Sequence, residues 1–198
     1  MIKNVIFDIG NVLLDFCWKD HIARFGFQGE KADRIAQAMM LGPIWPKLDL
    51  GLESDEDILE QFVAHTPELE QEIRLVFSDL STIVREYEGS VDWIESLKAR
   101  GYHTYYLSNY GERIRREASK ELSFLSHMDG GIMSYTVHLA KPDPAIYQTL
   151  LDRYGLKAEE CVFLDDTVRN VEAAQALGIA GIVVTSQEQA KKELENLL

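Results

Sequence analysis

The sequence predicts an α/β protein, a doubly wound parallel sheet with helices on both faces and an α-helical segment inserted after the first strand. Three observations lead there. Short apolar runs such as Val5-Ile6-Phe7 and Cys161-Val162-Phe163-Leu164 stop abruptly at polar residues, as buried parallel strands do. From residue 90 onward such runs alternate with helical patterns. Between Trp18 and Tyr87 no strand-like run is apparent, and apolar residues recur at helical spacing.

The first strand delivers Asp8 at its carboxyl end, followed by Gly10-Asn11. In the inserted stretch, Ile22, Ala23 and Phe25, then Ala32, Ile35, Ala36 and Met39, keep a helical period. Leu41-Gly42-Pro43 and Trp45-Pro46 interrupt it. Ser54 before Asp55-Glu56-Asp57 predicts a capped helix start with acids in the first turn. A further helix is expected from about Pro67 into Val84. Ser90 is expected to cap the next helix, which ends at Arg100-Gly101. Tyr102 to Leu107 reads as a strand ending at Ser108-Asn109, and Gly111 to Glu121 as a charged helix. Gly131 to Ser134 is a weaker strand pattern, and Pro144 opens a helix. The run ending at Leu164 leads into Asp165-Asp166. A helix over Val168–Leu177 stops at Gly178, Ile182-Val183-Val184 is the last strand, and a helix closes the chain.

Composition narrows the function. With 198 residues, 46% of them hydrophobic, the chain can bury a sizeable core. Its 33 acids against 20 Lys and Arg give a net charge of −13, which argues against nucleic-acid or anionic-membrane partners. A small anionic ligand remains compatible, because a metal ion and one lysine can set the local field. Cys17 and Cys161 lie far apart and read as free, buried thiols of a reducing compartment. No signal pattern opens the chain and no apolar run approaches the ~20 residues that span a bilayer, so a cytoplasmic protein is expected.

Four polar clusters sit past strand ends or in connecting loops: Asp8, Ser108-Asn109, Lys141-Pro142-Asp143-Pro144 and Asp165-Asp166. In a doubly wound sheet such points converge on one crevice. A carboxylate there can attack phosphorus and form an aspartyl-phosphate. Its repulsion from a phosphate dianion needs relief, which Mg²⁺ on carboxylate, carbonyl and water oxygens supplies. Lys141 adds a point charge, and the Ser108 hydroxyl can hold a phosphoryl oxygen.

This arrangement resembles the haloacid dehalogenase superfamily of aspartate-nucleophile hydrolases over essentially the whole chain. Its four motifs occur in order as Phe7-Asp8-Ile9-Gly10-Asn11-Val12, Leu107-Ser108-Asn109, Lys141-Pro142-Asp143-Pro144 and Leu164-Asp165-Asp166-Thr167. The first motif is similar to that of a bacterial subgroup that includes an alpha-D-glucose 1-phosphate phosphatase. The resemblance implies a Rossmann-like core over residues 1–16 and 88–198, with residues 17–87 as a helical cap that roofs the site. It implies Asp8 as nucleophile and metal ligand, and Gly10 as donor of a backbone carbonyl to Mg²⁺. Ser108 and Asn109 would bind the phosphoryl group, and Lys141 would steady both it and Asp8. Asp166 would be a direct metal ligand, Asp165 a partner acting more through water. The implied activity is Mg²⁺-dependent hydrolysis of small phosphorylated metabolites such as sugar phosphates. Oligomeric state is not readable.

The chain departs from the family at Gly10, where its phosphatases usually carry a second Asp as general acid and base. Asp15 is the nearest acid along the chain, and its alternative role is to stabilise a turn. Three rivals stand beside this reading: a dehalogenase attacking carbon through Asp8, against which the paired Asp165-Asp166 argues; a non-catalytic phosphate-binding member, which Gly10 makes thinkable; and a mutase, which would normally want the missing acid. Asn170 can either turn toward the site or lie on a helix surface. Phe16, Trp18 and Trp45 can touch substrate or simply pack. The five histidines show no metal-ligand pairing.

Overall fold

The computed structural model describes residues 1–198. Its main sheet is made of β1 (Asn4–Phe7), β4 (His103–Ser108), β5 (Gly130–Met133), β6 (Cys161–Asp165) and β7 (Ala180–Val183), all parallel, in the order β5-β4-β1-β6-β7. The chain starts in the middle strand and winds outward in both directions. That order puts the carboxyl ends of β1, β4 and β6 side by side, with Phe7 opposite both Tyr106 and Leu164.

The strands alternate in side-chain direction, and each set of side chains finds its own helices. Val5, Phe7, Val162 and Leu164 face one way, toward α6 (Ser90–Ala99) and α10 (Gln187–Glu195). Trp93 of α6 meets Phe7 edge-on at 4.9 Å. Ile6, Tyr105, Leu107 and Phe163 face the other way, onto α8 (Pro144–Tyr154) and α9 (Val168–Ala176). The helix ends carry the expected signals in part. Pro144 does open α8, and Gly101 and Gly178 take left-handed angles beyond α6 and α9. Ser90, however, does not cap α6. Gly89 stands at that position, and the Ser90 hydroxyl instead donates to the Leu13 carbonyl, tying α6 to the chain beyond β1.

The inserted stretch builds a layer of five helices: α1 (Trp18–Arg24), α2 (Gly29–Ala38), α3 (Pro46–Leu50), α4 (Asp55–His65) and α5 (Glu70–Phe77). Ser54 caps α4, accepting from the Asp57 N–H at 3.1 Å. The apolar sides of these helices meet around Phe62, whose ring lies between Trp45 and Phe77.

Two strands were not anticipated. β2 (Leu14–Phe16) and β3 (Val84–Glu86) pair antiparallel where the chain enters and leaves the helical layer. Val84, expected at the end of a helix, is therefore extended; α5 stops at Phe77. The charged helix after β4 is also shorter than expected. It ends at Glu117 as α7 (Glu112–Glu117) and continues as 3-10 turns through His127. No helix is long and apolar enough to cross a membrane.

Candidate active site

Each functional side chain arrives on a short, rigid support. β1 ends at Phe7, so Asp8 emerges at the sheet's carboxyl edge, with its N–H still bonded to the Leu164 carbonyl. Asp8 Oδ1 accepts from the Ile9 N–H at 2.7 Å and pairs with Lys141 Nζ at 2.8 Å.

Lys141 is the hub. The residue is 3% exposed, and its ammonium lies 2.8 Å from Asp8 and 2.6 Å from Asp165. Burial works against its charged form, yet the two carboxylates together hold its pKa above the ordinary lysine value. Burial raises the Asp8 carboxyl, Lys141 pulls it down and Asp165 adds to the rise.

Asp165 has no free oxygen. Oδ2 takes Lys141 Nζ and Asn170 Nδ2, and Oδ1 takes the Thr167 N–H at 2.8 Å and Asn170 Nδ2 at 3.0 Å. Asn170 thus faces the site, one turn into α9, and is no surface amide. Asp166 is only half-buried; its Oδ2 receives Asn11 Nδ2 at 2.9 Å. Asn11 holds a positive φ of 55° to make that bond, a conformation asparagine tolerates better than most residues.

Oxygens of Asp8, Asp165 and Asp166 lie within 4.8 Å of one another, and Gly10 lines the cavity beside them. A set of carboxylate oxygens with a nearby main-chain carbonyl suits a hard cation such as Mg²⁺. Three carboxylates against one ammonium leave the cluster with excess negative charge, so the residues present fit a divalent cation.

The Ser108 hydroxyl stands at the end of β4, next to Asp8. Asn109 has a second role that its motif does not announce. Its side-chain amide donates to the Lys141 carbonyl at 3.0 Å and accepts from the Lys141 N–H at 2.8 Å. It clamps the main chain that carries the lysine, and its second amide N–H stays free on the cavity lining.

These groups open onto a cavity of about 240 Å³. Its floor is the sheet edge. Its walls and roof come from Leu14, Phe16 and Val84 of the ribbon and Trp45 and Asp49 at α3. Phe16 and Trp45 approach each other at 6.1 Å between ring centres and line this space, whereas Trp18 does not. Asp15 is not on the wall either; it receives the Cys17 thiol and stands opposite Arg85 in the ribbon. Sequence reading overlooked Asn11 and Asp49. One signal for Asp49 was available: it lies four residues after Trp45, on the same helical face.

Residues 2–178 match the family described as haloacid dehalogenase-like hydrolase. Acyl-CoA dehydrogenase family member 10 of Mus musculus is 32% identical over 207 residues, covering 99% of this chain and 19% of that protein. The chain therefore spans about a fifth of that longer relative. A phosphorylated carbohydrates phosphatase of Thermotoga maritima is 30% identical over 142 residues, 71% of this chain and 63% of that protein. The solved structure of a family enzyme from Bacteroides thetaiotaomicron, in complex with magnesium and inorganic phosphate, superposes with a TM-score of 0.72 at 22% identity, covering 94% of this chain and 96% of that one. Proteins named as dehalogenases match as well, so likeness alone does not choose between phosphate and halide chemistry. The match over residues 2–178, together with a fold shared along nearly the whole chain, places this protein among the haloacid dehalogenase-like hydrolases.

Proposed function

We propose that this enzyme is a Mg²⁺-dependent phosphatase of small phosphorylated metabolites, sugar phosphates among them, working through a phosphoryl group carried on Asp8. The observation that carries the reading is the buried Lys141 ammonium between Asp8 and Asp165, with Asp166 beside them at the floor of a small cavity. A dehalogenase needs no such excess of carboxylates. Attack on phosphorus beside a cation does.

Asp8, Asp166 and the Gly10 carbonyl would hold the metal, with Asp165 behind them adding negative charge while its oxygens hold Lys141, Asn170 and the Thr167 N–H. Bound there, Mg²⁺ would offset the repulsion between carboxylate and phosphate dianion. Fixing Asp8 Oδ1 with two donors aims the carboxylate. An Asp8 oxygen forms a bond to phosphorus while the bond to the leaving oxygen breaks. Lys141 and the Ser108 hydroxyl hold phosphoryl oxygens as charge builds on them. Water then attacks phosphorus, inorganic phosphate departs and the Asp8 carboxylate is restored. Asn109 serves by keeping Lys141 in place. In this reading residues 17–87 are the cap over a core of residues 1–16 and 88–198, and the β2–β3 ribbon is the double crossing between them. The cavity is smaller than the 300–1,000 Å³ of most ligand pockets, which supports a small substrate.

The test is phosphate release from p-nitrophenyl phosphate and a panel of sugar phosphates, with Mg²⁺ and with a chelator. Release should require the metal and vanish in Asp8→Asn. Halide release from 2-chloropropionate without metal, and no phosphate release from any substrate, would overturn the reading.

A further inference from the structure

The reading above leaves one chemical need unfilled: the leaving oxygen requires a proton. The acids on the floor are committed. Asp8 is the attacking group, Asp165 is saturated with donors, and Asp166 is bonded to Asn11 in the metal cluster. Asp15 lies off the cavity wall. In phosphoryl transfer the attacking and leaving oxygens stand roughly in line across phosphorus. With Asp8 on the floor, the leaving oxygen faces the roof. Asp49 is the one acid on that roof.

We propose that Asp49 is the general acid and base of this enzyme, supplied by the helical layer; the proposal rests on the phosphatase reading. In the first step the Asp8–phosphorus bond forms and the bond from phosphorus to the leaving oxygen breaks. The electron pair of that bond goes to the leaving oxygen, which takes the Asp49 proton. In the second step the Asp49 carboxylate accepts a proton from the attacking water as its oxygen bonds to phosphorus. The Asp8–phosphorus bond breaks, its electron pair returns to the Asp8 carboxylate, and Asp49 is protonated again.

Three features support this. The Asp49 carboxyl makes no hydrogen bond or ion pair within the protein, so nothing competes for its proton, and the carboxyl is half-buried in a cavity wall. Burial, and then the negative charge of Asp8, push it up to about 7 against the pull of Lys141, in the range suited to giving and taking a proton near neutrality. Its support is rigid. The Asp49 carbonyl accepts from the Ser134 hydroxyl, the Leu50 carbonyl meets His138 Nδ1 at 2.8 Å, and Gly51 sits so close that an added Cβ would stand 2.9 Å from Tyr135 Cβ. Tyr110, the other group on this wall with an unpartnered polar atom, has its hydroxyl fully buried and its pKa raised by burial, so it keeps its proton.

The experiment compares single-turnover rates for phosphate esters of graded leaving-group pKa, from p-nitrophenyl to an alkyl alcohol, in the parent, Asp49→Asn and Asp49→Ala, with circular dichroism as the folding check. The parent should depend weakly on leaving-group pKa. Both variants should lose 10²- to 10⁴-fold on the alkyl ester and less than about tenfold on the nitrophenyl ester. An equal loss on both esters in a folded variant, or no loss, overturns the proposal while leaving the phosphatase reading intact. A steep leaving-group dependence in the parent overturns it even if both variants fail to fold. A parent that releases no phosphate from any ester removes the reading beneath it and the proposal together.

Discussion

The sheet's carboxyl edge and the helical layer above it hold carboxylates and cations of the same kinds in opposite ways. At the edge, Asp8, Lys141 and Asp165 are buried together and share their hydrogen bonds. In the layer, the interior is apolar around Phe62, and the pairs Lys31–Glu72, Arg34–Glu68 and Arg74–Glu60 lie on the outside. A charge pair in water gains little and is screened by salt. A buried pair forfeits hydration, and losing one member leaves an uncompensated charge. The edge therefore spends stability on holding reactive groups in place, and the layer derives its stability from packing.

The widest gap should appear at Lys141. Lys141→Met removes the cation between two buried carboxylates and should cost about 3–5 kcal/mol in urea unfolding at pH 8, together with all measurable turnover. A loss under about 1 kcal/mol would mean that the carboxylates take up protons instead of standing as bare charges, and the contrast between the regions would shrink accordingly. The matching experiment in the layer is Phe62→Ala. The side chain is fully buried, so about 3 kcal/mol should go, mostly as cavity and lost transfer energy. Because Phe62 packs on Trp45, KM should rise with kcat less affected. A kcat loss matching that of Lys141→Met would show that the layer carries chemistry through its packing.

The two regions also differed in how far the sequence revealed them. Asp8, Ser108 and Asp165 could be placed because each ends an apolar strand, and Lys141 because prolines frame the turn before a helix. These are local signals. The ribbon was hidden because Leu14–Phe16 and Val84–Glu86 are three residues each and find each other across about seventy positions. Asn170 stayed open between two faces because its direction depends on how α9 lies against β6. Asp49 was passed over for the opposite reason to Asp8. Its one local mark is the spacing of four from Trp45, and it reaches the cavity because α3 docks against Ser134, Tyr135 and His138. That the Asn109 side chain also holds Lys141 could not be read from its motif, because the two lie thirty-two residues apart and meet only in the fold.

One exception inside the layer sharpens the comparison. His21 is fully buried, with Nδ1 2.9 Å from Thr82 Oγ1 and Nε2 3.3 Å from the Val76 carbonyl. Burial lowers its pKa below the ordinary 6.5, against the Val76 carbonyl, which favours the charged ring. The unfolded chain therefore binds the proton first as pH falls. The stability due to neutral His21 is fully present above about 6.5 and declines as pH drops from there toward the lower folded value. His21→Ala should cost about 1–3 kcal/mol at pH 7.5 by leaving the Val76 carbonyl without its partner, whereas exposed Thr82 keeps Arg24. The gap between parent and variant should narrow at pH 5.5. A gap that stays constant across that range would show that His21 is not titrating between the two states.

The smallest effect is expected at Arg34–Glu68, which joins α2 to the turn before α5 at 3.1 Å with both side chains more than half exposed. Its atoms lie 3.1 Å apart against 2.8 Å for Lys141 and Asp8, so distance alone predicts nearly equal worth. Solvent screening predicts otherwise. Single substitutions would mislead here, because the chain carries −13 net charge. Glu68→Ala relieves general repulsion while Arg34→Ala adds to it, and neither change reports the pair. A double-mutant cycle with Arg34→Ala and Glu68→Ala cancels those background terms and leaves the coupling. The coupling should lie within measurement error at physiological salt and emerge, if anywhere, at low ionic strength. A coupling that persists at high salt would mean that the pair is shielded from water in solution. The layer would then hold charge as the sheet edge does, and the division between the two regions would fail at its outer surface.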